Sequence, residues 1–190
     1  MEFAPLLKLI RVKRRFILEN HQLATIKADL EVSVGKRIDK ICASTLGSSF
    51  NQNQCAHYVS HMMGYDFSQS ASCKYLTFDD SQNDEVEGAT VRVDVIFNKL
   101  VPAHRQELVN NTCYRPGLIF VTQKKNIKSG GAMGSMPAKH IGVLIWPWVY
   151  HYSNTQNKVK KEDITSFINT FKSAYSGNGP VVFYRGEFVA

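Results

Sequence analysis

Cys55 stands where a thiol has the most chemistry open to it. It follows a polar loop, SSFNQNQ, and opens the run CAHYVSHMMG, in which Cys55, Val59, Met62 and Met63 recur at helical spacing and Gly64 supplies a stop. Asn51 or Asn53 is placed to cap that helix. In a helix's first turn the backbone N–H groups are unpaired, and the dipole presents about half a positive charge. The position therefore predicts a thiol of depressed pKa. It also predicts unpaired N–H groups ready for the oxyanion that forms when a carbonyl is attacked.

A sulfur nucleophile needs a base, and the base needs a group that orients its ring. His140 opens the apolar run HIGVLIW, and His151 lies on the next run, VYHYS, across Trp146-Pro147. An even-numbered turn centred there sets Ile145 opposite Trp148, and so on outward. His140 then faces Ser153, and His151 faces Gly142. Because alternate residues share a face, both histidines project from one side as diagonal neighbours with Cβ atoms ~7–8 Å apart or less. An odd-numbered turn would bring Tyr150 or Tyr152 instead, with Ser153 and Asn154 as substitutes for the orienting role. Gly142 leaves room for a close neighbour such as a helix end.

Other groupings point to less. His57 and His61 form an i, i+4 pair, but helical geometry turns both about 200° or more from Cys55. They also lack the glutamate of HExxH and a nearby third ligand, so no metal is expected. Gly130, Gly131 and Gly134 follow neither phosphate-binding spacing and read as a mobile loop beside the cleft, a lid. No cofactor is expected. Cys42, Cys55, Cys73 and Cys113 lie far apart with no CxxC pair, which excludes a zinc ribbon and leaves two disulfides open.

The elements that must position these groups fit in one domain of 190 residues. A hydrophobic fraction of 44% excludes disorder, and 23 Lys+Arg against 16 Asp+Glu favour anionic partners. A basic cluster, Arg11, Lys13, Arg14 and Arg15, adjoins the apolar Leu6, Leu7, Leu9 and Ile10, as helix or strand. No nucleic-acid fold signature accompanies it, so a nucleic-acid-binding domain is only the rival reading. No run is long enough to span a membrane. The start, MEFAPLLKLIRVKRRF, does not read as a secretory signal, so the expected location is the cytoplasm, or outside by a specialised secretion route.

Residues 34–46 predict a helix carrying Val34, Ile38, Ile41, Cys42 and Leu46 on one side. The run VRVDVIF reads as a strand, PAHRQELVNN as a short helix, and RPGLIFVTQ as a turn into a strand. KEDITSFINTFKSAY reads as a helix and VVFYRGEF as a last strand. The expected class is α+β, with N-terminal helices packed on a mostly antiparallel sheet.

The order of QCAHYVSHMMG, RPGLIFV, HIGVLIW and VYHYS resembles the NlpC-type papain-like cysteine peptidases, CHAP amidases included, over about residues 50–155. The resemblance implies a papain-like fold with Cys55 as nucleophile, His140 as base and His151 as orienting residue. It also implies cleavage of amide or peptide bonds in bacterial cell-wall peptidoglycan, with acyl transfer to an amine or lipid as the alternative. The sequence departs from that pattern in three places. Gln54-Cys55-Ala56 stands where many members have Asp-Cys-Ser, Pro116-Gly117 runs into Leu118 without the usual aspartate, and the interval from His140 to His151 is about one residue short.

Overall fold

Six strands, every neighbouring pair antiparallel, form one sheet in the order β1-β6-β2-β3-β4-β5. They are β1 Arg105–Glu107, β2 Gly117–Gln123, β3 Lys139–Ile145, β4 Trp148–Ser153, β5 Lys158–Asp163 and β6 Val181–Gly186. This computed structural model describes residues 22–42, 53–65, 89–99, 105–108 and 114–188. The chain's contacts divide it into two units, Met1–Val32 and Ser33–Ala190. The described helices are α1 (residues 22–33), α2 Cys55–Met62, α3 Val93–Lys99 and α4 Ile164–Tyr175. The protein is α+β. No described helix is long and apolar enough to cross a membrane.

Strands β2 and β3 are buried along their whole length, as central strands covered on both faces must be. One face carries Ile119, Val121, Leu144, Val149 and Phe183, closed by Ile164, Phe167, Ile168 and Phe171 of α4. Those four α4 residues follow the apolar stripe legible in the sequence. On β2's other face, Phe120 meets Phe97 of α3 edge-on, and Tyr184 of β6 meets the same ring.

Several expected elements take another form. VRVDVIF contributes α3 rather than a strand, because Val93, Ile96 and Phe97 bury at helical spacing while Asp94 turns to Arg92 and Lys139. Packing on the sheet outweighs the β-propensity of the valines. Within the expected helix PAHRQELVNN, Arg105–Glu107 is an edge strand paired with β6, and Leu108 donates its N–H to the Phe183 carbonyl. Residues 34–42 are not a continuous helix. Gly35 at φ +80° breaks the chain, its N–H bonds to Val159 of β5, and only Ile38–Lys40 makes a 3₁₀ turn. The final helix starts at Ile164, three residues later than KED suggests, since Asp163 caps it by accepting from the Thr165 and Ser166 amides. The glycine-rich stretch is pinned rather than loose. Met133 is buried, and its N–H and C=O both bond the Asn98 amide. The basic cluster, Leu46, Asn51, Cys73 and Cys113 lie outside the described residues.

Candidate active site

Helix α2 begins at Cys55 and gives way at Met63 to Gly64, whose φ of +62° suits the left-handed stop. The N-cap position falls on Gln54, which makes no side-chain capping bond, and Asn53, one residue earlier, accepts the Cys55 N–H at 3.1 Å through Oδ1. The loop before Cys55 is held by the β4–β5 turn: Asn154 Oδ1 accepts the Gln54 N–H at 3.0 Å, and its Nδ2 donates to Asn53 Oδ1 at 2.8 Å. Asn154 therefore anchors the start of α2. Ser153 accepts from the Gln156 amide, so neither substitute takes the orienting role.

The β3–β4 hairpin has the even-numbered register, with Ile145 opposite Trp148 and Val143 opposite Tyr150. It delivers both histidines to one face. His140 Nε2 lies 2.9 Å from His151 Nδ1, with the rings at 79°. His140 stacks on Phe171 at 4.3 Å between centroids, and His151 meets Phe167 edge-on at 5.2 Å. The close neighbour of Gly142 is β4 rather than a helix end. A Cβ there would come within 2.8 Å of Val149 Cγ1 and 3.1 Å of His151 Cβ.

Glu162 completes the row. His151 Nε2 is 2.5 Å from Glu162 Oε1, and Lys160 Nζ reaches Glu162 Oε2 at 3.2 Å. His151 pairs with Lys160 across β4–β5, and Val149 pairs with Glu162, so Glu162 lies diagonal to the imidazole on the shared face. Sequence reasoning missed Glu162 by assigning it to a helix. Its signal was the alternation of β5 beyond the Asn154 turn. The bond from His151, with Lys160 in support, holds the Glu162 carboxyl below its usual pKa. Burial and the neighbouring His151 hold His140 well below the usual imidazole value.

An ionised Glu162 only accepts, so His151 donates from Nε2, and in its neutral form it presents a lone pair at Nδ1. His140 then donates from Nε2, and its Nδ1 carries the remaining lone pair. Among the described residues that Nδ1 makes no hydrogen bond.

Cys55 is buried to 0% exposure, and the depressed pKa expected of it is not found. Desolvation pushes the thiol up to about 12, against smaller lowering contributions from the Ile141, Ala56 and Cys55 backbones and from Lys139. Those contributors place the sulfur beside the β3 segment that flanks His140. Lys139 itself is held by Asp94 at 2.8 Å.

The other face of α2 carries the histidine pair. His57 is buried, with Nδ1 at 2.6 Å from Gln54 Oε1 and Nε2 at 3.1 Å from His61 Nε2. Cys42 joins them, one ligand atom from each of the three lying within 4.8 Å of the others. No known protein family, curated protein or solved structure matches this chain.

Proposed function

We propose that this protein is a cysteine hydrolase of papain-like fold that cleaves an amide or peptide bond, with peptidoglycan stem peptides as first substrate class. The observation that carries the reading is the row Glu162–His151–His140, which leaves a lone pair on His140 Nδ1, on the same β3 segment whose Ile141 backbone contacts Cys55. A row of this kind serves to fix one tautomer and to stabilise the imidazolium that forms on proton uptake. The substrate class comes from the family resemblance and from the basic balance of the chain.

In this mechanism His140 Nδ1 takes the Cys55 proton, and the sulfur bonds to the substrate carbonyl carbon. The Ala56 N–H, in the first turn of α2, faces the oxyanion. His140 returns the proton to the leaving amine as the C–N bond breaks, and water then cleaves the thioester. The thiol is neutral and sealed in the conformation described, so substrate entry requires the residues packed around Cys55 to move.

The test is incubation of the purified chain with muropeptides, with product masses read by mass spectrometry. Turnover is expected in the wild type and is abolished in Cys55→Ala and in His140→Ala. Full activity in Cys55→Ala would overturn the mechanism, and unchanged muropeptides would move the substrate away from the wall.

A further inference from the structure

We propose that Cys42, His57 and His61 form a binding site for a zinc-class divalent transition ion, on the side of α2 turned away from Cys55. This site stands independently of the hydrolase reading.

The donor set is one sulfur and two imidazole nitrogens, the mixture that borderline-soft ions select. The separations suit a tetrahedral ion. Zn–N bonds near 2.0–2.1 Å and a Zn–S bond near 2.3 Å place ligand atoms roughly 3.3–3.6 Å apart. The two Nε2 atoms are already 3.1 Å apart, and all three ligand atoms lie within 4.8 Å of one another. Side-chain shifts of about 1 Å close the set. His57 is already oriented as a ligand, because its Nδ1–H donates to Gln54 Oε1 and so turns the Nε2 lone pair toward His61. Cys42 and His57 are buried, and His61 is half-buried.

Coordination releases the Cys42 thiol proton, and His61 carries its ring proton on Nδ1 while Nε2 binds the ion. The ligand spacing explains why the sequence alone conceals the site. Fourteen residues lie between Cys42 and His57, and the break at Gly35 and the 3₁₀ turn Ile38–Lys40 bring the cysteine onto α2. An ion there ties the segment preceding α2 to the helix that begins with Cys55.

The experiment adds Co²⁺ to the metal-stripped full-length chain and records near-ultraviolet absorption, alongside the zinc content of protein purified without chelator. The expected result is one ion per chain, with a thiolate-to-cobalt charge-transfer band that is lost in Cys42→Ser and kept in Cys55→Ala. Gln54→Ala should weaken binding by about 10- to 100-fold while keeping the band at saturation. His61→Gln, at a half-buried position, should lose tight binding with the circular dichroism of the fold retained. That separates ligation from misfolding. Absence of the band in the wild type, its survival in Cys42→Ser, or its loss in Cys55→Ala overturns the proposal. None of these readouts depends on turnover.

Discussion

The row from Glu162 to His140 works through proton positions, because each ring nitrogen has one role left once its partner is fixed. Removing the charge at its far end tests that logic better than removing a ring. Glu162→Gln keeps an oxygen able to accept the His151 Nε2–H, but it no longer stabilises an imidazolium. In the proposed hydrolase kcat should fall roughly 100-fold while KM holds, the lower range of what general acid–base catalysis supplies. The acidic limb of the pH–rate profile should shift as well. His151→Ala should lose less than His140→Ala, since an orienting group is partly replaceable. A purely structural Glu162 would instead lower melting temperature and leave the pH profile in place, which differential scanning calorimetry and steady-state kinetics distinguish.

At the scale of elements, what was legible in the sequence was local. The alternation of HIGVLIW and VYHYS marks both strands and the turn at Trp146-Pro147 but leaves the parity of that turn, and so the β3–β4 register, open, while α2 announces its end through Gly64. Residues whose structure is decided by distant neighbours were not legible. Lys161-Glu162-Asp163 reads as a helix start until β4 lies beside it, and Val93 and Val95 read as strand until Phe97 finds Phe120. Cys42 reaches α2 only through a broken segment. Gly142 tests the hairpin directly. Its missing Cβ would sit 2.8 Å from Val149 Cγ1 and 3.1 Å from the Tyr150 carbonyl oxygen, a backbone atom with little freedom to move. Gly142→Ala should cost about 1–3 kcal/mol in urea unfolding, as overpacked sites do. It should also part β4 from β3 at His151, lowering kcat more than a comparable stability loss elsewhere.

Over the whole molecule, burial governs both reactivity and pH response. Cys55 is sealed and its thiol is raised to about 12, so alkylation must await opening. Iodoacetamide should label it at least about 100-fold more slowly in the native protein than in urea, an opening free energy of roughly 2.7 kcal/mol. Peptide mapping isolates Cys55 from the other cysteines, and native labelling at the denatured rate would show that no cover exists. The same enclosure holds His140 neutral. Around it stand His151 of β4, Glu162 and Lys160 of β5 through that ring, and Phe167 and Phe171 of α4, with Lys139 beside it on β3. Its folded pKa lies well below 6.5, whereas the unfolded chain takes up the proton near 6.5. The unfolded state therefore binds more protons in mild acid. Stability is fully present above pH ~6.5 and falls on acidification at up to about 1.4 kcal/mol per pH unit for each such group. Glu162 and Asp94, both lowered, extend the loss below pH ~4.5, as the hydrogen bond from His151 and the ion pairs with Lys160, Arg92 and Lys139 are lost on protonation. Urea midpoints measured from pH 8 to pH 5 should decline through that window, and His140→Gln should reduce the slope between pH 6.5 and 5, leaving the share of His57 and His61, which burial also lowers. A flat wild-type profile there would mean that the ring takes up its proton as readily in the folded protein as in the unfolded chain.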